Sequence, residues 1–131
     1  MSQSQPKAVV LGAGMVGTLM ARDLARDGEF QVTLTDRSEA ALAQAAARMQ
    51  PGMQVATRAC DLSNADTLHE LARSHDVILG ALSSHLGYEA LHALCQTGKP
   101  YADISFMEEN ALDWHHLAQK HGSTCVVDSG V

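Results

Sequence analysis

Short apolar runs and stretches of helical periodicity alternate along the chain. Ala8–Leu11 is an apolar run that stops at Gly12, as a buried strand does. From Met15 to Asp27 the spacing becomes helical, with Val16, Leu19, Met20 and Leu24 on one face and Arg22, Asp23 and Arg26 on the other. Gly28 stands where a glycine ends such a helix. Phe30–Thr35 predicts a second strand, and Ser38 the N-cap of an alanine-rich helix reaching Met49 and stopped by Pro51-Gly52. Met53–Ala59 is a weaker third strand. Ser63, with Asp66 three residues on, predicts a capping-box start for a helix to about Ser74. Asp76–Ala81, around Val77-Ile78-Leu79, predicts a fourth buried strand, and Leu86–Thr97 a helix closed by Gly98 and Pro100. Tyr101–Ile104 predicts a fifth strand, Glu108–His121 a helix ended by Gly122, and Thr124–Val127 a sixth strand.

Strands that alternate with helices through short loops need crossover connections, hence a parallel sheet with helices on both faces. The expectation is a doubly wound α/β domain over residues 7–131 with strand order 3-2-1-4-5-6, preceded by a disordered stretch over residues 1–6. The length of 131 residues suits one domain. The formal charge of −6, without any run of Lys or Arg, argues against nucleic acid and anionic membrane as partners. No apolar run is long enough to span a bilayer. Cys60, Cys95 and Cys125 show no CxxC spacing, so neither a disulfide framework nor a metal site is indicated; they read as reduced thiols of a cytoplasmic protein.

Gly12-Ala13-Gly14-Met15-Val16-Gly17 matches G-x-G-x-x-G and lies between the first strand and the first helix, the context this motif requires. Gly12 allows a sharp turn, Gly14 lets a pyrophosphate approach the backbone, and Gly17 lets the helix pack close to the strand. The free amides at the helix start, around Met15 and Val16, offer hydrogen bonds and partial positive charge to phosphates. The fold is therefore expected to be a Rossmann dinucleotide-binding domain. Related turns in FAD and S-adenosylmethionine sites share the pattern.

Asp36 ends the second strand about 20 residues beyond the turn, where a carboxylate accepts hydrogen bonds from the adenosine ribose. Such a carboxylate repels the 2′-phosphate of NADP and favours NAD. Arg37 beside it keeps NADP open, since a guanidinium can meet a phosphate. Asp36 can alternatively serve the dipole of the second helix. Asp61 and Leu62 follow the third strand in a loop that lies over the adenine in such folds, and Asp61 reads equally as a solvated loop acid. Gly80, Ala81 and Leu82 close the fourth strand and are small enough at Gly80 and Ala81 to admit the nicotinamide ribose. Ser83, Ser84 and His85 can bond cofactor or substrate, or cap and flank a helix. Asp103, at the end of the fifth strand, reads either as an active-site carboxylate or as a helix cap. His115 and His116 are adjacent on a helix and point apart, and the other histidines belong to different elements. Cys125 reads as a small core residue.

Four segments carry a resemblance to a known family: residues 9–17, Val77-Ile78-Leu79-Gly80-Ala81-Leu82, Tyr101-Ala102-Asp103-Ile104-Ser105-Phe106 and Val126-Val127-Asp128-Ser129-Gly130. Leu86-Gly87-Tyr88 and Glu109-Asn110 add to it. The chain resembles the N-terminal NAD(P)-binding domain of the saccharopine dehydrogenase family, in its L-lysine 6-dehydrogenase-like branch. The resemblance implies hydride transfer between NAD(P) and the CH–NH group of an amino acid. It also implies a second, substrate-binding domain following the Gly130 region and lying outside this chain. Asp103 and Tyr88 fall near the substrate side, with no catalytic role assigned to either. Surface left open by that second domain makes a homodimer an expectation. The alternative reading is a non-catalytic NAD(H)-sensing module, which the length, the glycine turn and Asp36 also suit.

Overall fold

The computed structural model describes residues 5–105 and 109–127, the side chain of Ser84 excepted. The expected disordered stretch at Met1–Ser4, the helix start at Glu108 and the Asp128-Ser129-Gly130 segment lie outside the described residues.

Six parallel strands form one sheet in the order β3-β2-β1-β4-β5-β6. They are β1 (Lys7–Leu11), β2 (Gln31–Asp36), β3 (Val55–Ala59), β4 (Val77–Gly80), β5 (Tyr101–Asp103) and β6 (Cys125–Val126). The helices between them are α1 (Met15–Arg26), α2 (Glu39–Ala47), α3 (Ala65–Ser74), α4 (Ser84–Leu94) and α5 (His115–His121). This is the doubly wound order expected from the alternation of strand and helix.

The apolar run of β1 is central because both of its faces are covered, and Ala8, Val9, Val10 and Leu11 are fully buried. Its alternate side chains feed two separate cores. Val10 joins Val32 and Leu34 of β2, Ala21 and Ala25 of α1, and Leu42 and Ala45 of α2. Val9 and Leu11 join Ile78, Tyr101, Leu68 and Leu71 of α3, and Leu91 and Leu94 of α4. The weaker pattern of the third strand has a physical counterpart: β3 is an edge strand whose last four residues are exposed.

Two local expectations are corrected. The N-cap of α3 is Asn64, whose side chain accepts from the Asp66 and Thr67 amides at 2.8 and 3.2 Å. Ser63 does not cap because both its amide and its hydroxyl donate to the Asp61 carboxylate. Asn64→Ala is therefore expected to cost about 1 kcal/mol, read from urea unfolding, whereas Ser63→Ala leaves α3 capped. The last helix is also interrupted. Asn110 caps a 3-10 turn over Ala111–Trp114 by accepting from the Leu112 amide at 3.0 Å, and α5 starts afresh at His115. Trp114 leaves the helical path to lie against Tyr88 and His92 of α4, with ring centroids 5.2 and 4.2 Å away.

Candidate functional site

The sharp turn after β1 is built from backbone contacts that only glycine permits. Gly12 has φ +103°, and a Cβ there would stand 2.6 Å from the Ala81 carbonyl oxygen. A Cβ on Gly17 would stand 1.7 Å from the Gly12 carbonyl oxygen. Around these contacts, the Gly12 amide donates to the Thr35 carbonyl at 2.9 Å and the Ala81 amide to the Leu11 carbonyl at 2.8 Å. The turn is thus tied to the strands on either side of β1.

Gly14 differs from its neighbours. It is the N-cap of α1 in an extended conformation, and a Cβ there would meet nothing within 4 Å. No side chain caps α1, and its first turn carries no acid. By contrast, α2 has Ser38 and Glu39 at its start, and α3 has Asn64 and Asp66. The start of α4, at Ser83, also lacks a side-chain cap. Gly14 and Ser83 line the same crevice, so two uncapped helix starts bring donor amides and positive dipole ends to one place.

That crevice has a volume of about 430 Å³ and lies beyond the carboxyl ends of the central strands. Gly12 and Gly14 line it from the turn, Asp36 ends β2 with Arg37 after it, and Asp61, Leu62 and Ser63 follow β3. Ala81, Leu82, Ser83 and Leu86 come from the β4–α4 connection. The sequence marks Ser63 only as a helix-cap candidate and Leu86 only as a helix start, so neither reads there as a site residue; the loop geometry brings them to the crevice. Met15, Val16 and Gly17 are not lining residues: Met15 and Val16 are exposed on α1, and Gly17 is buried beneath the turn.

Asp36 holds the turn together. One carboxylate oxygen accepts the Ala13 amide at 2.8 Å and the other the Ser38 amide at 2.8 Å. The same side chain therefore lines the crevice and braces the start of α2. Each oxygen has a second lone pair for a hydroxyl donor. Asp61 is exposed at the rim. Hydrogen bonds from the Ser63 hydroxyl and amide hold its carboxyl below the usual range, and Arg37 adds a smaller pull.

Gly80 is placed differently from the expectation that it admits a ribose. It is buried and outside the crevice, and a Cβ there would lie 2.2 Å from the Tyr101 hydroxyl and 2.8 Å from Asp103 Oδ1. Burial, reinforced by the Asp103 carboxylate, pushes the Tyr101 hydroxyl well above its ordinary range. Asp103 is completely buried and accepts from the Ser105 amide at 3.0 Å and the Ser105 hydroxyl at 2.7 Å. Among the described residues the next helical turn is capped by Asn110, and Asp103 is not among those lining the crevice. Tyr88 donates to Asp113 at 2.9 Å, and His85 sits 3.5 Å from Glu109, so both join α4 to the segment after β5. Among the described residues no group of three or more His, Cys, Asp or Glu is arranged to hold a metal.

The family model for the saccharopine dehydrogenase NADP-binding domain matches residues 8–126. The chain belongs to this family. The resemblance to the saccharopine dehydrogenase family is therefore confirmed at the level of the family, and the chain carries an NAD(P)-binding domain of that type. Saccharopine dehydrogenase (L-Glu forming) from Saccharomyces cerevisiae is similar over 95% of this chain and 27% of its own, with TM-score 0.78 and 17% identity. Shikimate 5-dehydrogenase from Listeria monocytogenes, solved with shikimate and NAD, is similar over 95% of this chain and 46% of its own, with TM-score 0.64 and 14% identity. 1-Deoxy-D-xylulose 5-phosphate reductoisomerase from Zymomonas mobilis, solved with NADPH, is similar over 95% of this chain and 39% of its own, with TM-score 0.65 and 24% identity. These three likenesses are of fold, and the chain spans less than half of each protein.

Proposed function

We propose that this saccharopine dehydrogenase-family domain holds NAD in preference to NADP for an oxidoreductase acting on the CH–NH group of an amino acid. The observation that carries the reading is the open, uncapped start of α1 at Gly14 beside the Asp36 carboxylate. The amides of Met15, Val16 and Gly17 meet the pyrophosphate, and Asp36 accepts from the adenosine ribose hydroxyls. Asp61 and Leu62 border the adenine, while Ala81 and Leu82 border the nicotinamide side. The crevice volume lies within the range of ligand pockets. When bound, the cofactor supplies a nicotinamide ring that takes a hydride as the substrate C–N bond becomes an imine. The protein's part is to orient the dinucleotide and to keep a fixed negative charge by the ribose.

Two predictions test this. Asp36→Ala removes an acceptor from both the Ala13 and Ser38 amides. It is expected to cost roughly 1–3 kcal/mol of stability and to narrow the preference for NAD over NADP about tenfold, as competitive titrations of the two cofactors will measure. An unchanged preference removes Asp36 from ribose recognition. For the substrate class, a chain carrying the second domain is given NAD and a panel of L-amino acids and secondary amines, and reduced nicotinamide is followed by absorbance. Turnover of a C–N substrate supports the proposal; turnover of hydroxy acids alone overturns it. The exposed Met15, Val16, Leu19, Leu112 and Val126 support self-association, and sedimentation showing only monomer at high concentration contradicts a homodimer. We place the protein in the cytoplasm, on its three free cysteines. Among the described residues no helix is long and apolar enough to cross a membrane.

A further inference from the structure

We propose that Cys95 and Cys125 form a reversible dithiol–disulfide pair, a redox-modification site that staples the edge strand β6 to the end of α4. Their sulfurs lie 3.8 Å apart, although the residues are far apart in sequence. Cys95 is the C-cap of α4 and Cys125 is the first residue of β6.

Hydrogen bonds already fix the two backbones beside each other. The Ser123 hydroxyl donates to the Cys95 carbonyl at 2.8 Å, and the Gly98 amide donates to the Ser123 hydroxyl at 2.8 Å. The Tyr101 amide donates to the Thr124 carbonyl at 2.9 Å. A disulfide needs an S–S length of about 2.0 Å, so the sulfurs must approach by about 1.8 Å from their present 3.8 Å. Both thiols line a cavity of about 290 Å³ bounded also by Leu91, Trp114 and Ala118, which gives a small oxidant a way in.

The pair is chemically asymmetric. Either sulfur can donate to the other; the arrangement in which Cys125 donates lowers the Cys95 thiol from its ordinary range and, with burial, raises that of Cys125. Cys95 is therefore the attacking sulfur, which reacts as the thiolate after giving up its proton. It attacks one oxygen of a hydroperoxide, the O–O bond breaks, and the alkoxide leaving group takes a proton, giving Cys95 sulfenic acid and an alcohol. The Cys125 sulfur then attacks the sulfenic sulfur and expels hydroxide, which takes the remaining thiol proton and leaves as water. In sum, two thiols and one hydroperoxide give one disulfide, one alcohol and one water. Cys60 has no such partner: its thiol lies 4.0 Å from the Arg58 carbonyl, and burial raises its pKa.

The pair sits at the amino ends of the strands. Helix α4 begins beside the dinucleotide crevice at Ser83 and ends at Cys95, on the far side of the sheet. Oxidation is thus a stability device that leaves the crevice alone.

The test treats the full chain with hydrogen peroxide at sub-millimolar concentration, alkylates the remaining thiols and maps them by mass spectrometry. The expected product is monomeric, lighter by two hydrogens, cross-linked between Cys95 and Cys125 and alkylated at Cys60. Its Tm is higher by roughly 5–10 °C, its NADH affinity is unchanged, and dithiothreitol reverses the change. The Cys60→Ser variant is expected to form the same cross-link. A cross-link through Cys60, a mixture of dimers, or sulfinic acid at Cys95 without a bond to Cys125 overturns the proposal. Loss of NADH affinity in the cross-linked product overturns the proposal that the disulfide leaves the crevice alone.

Discussion

Valine at position 14 is expected to abolish dinucleotide binding and to leave the domain folded. The Gly14 backbone is extended, with φ −74° and ψ −165°, a conformation valine accepts. A Cβ there has nothing within 4 Å beyond its chain neighbours, so the branched side chain starts in open space. Poorer capping costs the helix about 1 kcal/mol. A ligand is affected far more. The space over Gly14 is where diphosphate oxygens must come to reach the first amides of α1, and valine fills it. Each lost charge-assisted hydrogen bond is worth about 1.5–3 kcal/mol, so losing two weakens binding by about 100-fold or more. Titration of NADH fluorescence measures the loss, and thermal unfolding of the same sample shows that the fold persists. Wild-type affinity in Gly14→Val would remove the pyrophosphate from this turn.

Alanine at position 17 is expected to do the opposite and break the fold itself. Its Cβ would stand 1.7 Å from the Gly12 carbonyl oxygen and 2.8 Å from that carbonyl carbon. These are backbone atoms, so no side-chain rotation relieves the clash. Gly12 cannot retreat, because its amide is bonded to Thr35 and Ala81 packs under it. Helix α1 must instead move away from the sheet, opening the contacts of Ala21 and Ala25 with Val10 and Val32. The expected cost is about 3 kcal/mol or more, or a fall in Tm of roughly 10 °C or more. Differential scanning calorimetry reads it directly. A Tm within about 2 °C of wild type would show that the turn is looser than described. The two glycines of one motif thus separate a ligand-contact role from a packing role.

Much of this was legible in the sequence, for identifiable reasons. The run Ala8–Leu11 is apolar on both faces, as only a central strand is, and the glycine turn follows it directly. Ser38 caps α2 as read, its hydroxyl accepting from the Ala41 amide at 3.1 Å. The strand order is the doubly wound order expected from the alternation of strand and helix. What the sequence concealed depends on long-range pairing. Nothing near Gly80 announces that its missing side chain makes room for Tyr101 and Asp103, which arrive on another strand. The Ser63 misreading was local instead: Asp61, two residues earlier, takes its amide and hydroxyl and leaves the cap to Asn64. The break at Trp114 arises because its ring packs against α4, a contact that helical periodicity does not encode. Cys95 and Cys125 meet only because α4 and β6 are neighbours in the folded sheet.

The central claim is that a dinucleotide lies across the start of α1 with its ribose at Asp36. An amide-resolved NMR titration of the chain with NAD tests this most directly. Saturable shifts concentrated at residues 12–17, at Asp36 and Arg37, and along Ala81–Ser83 are expected. Saturable shifts centred instead on the cavity around Trp114 and Cys125, or no saturable shifts from a folded chain, would contradict it.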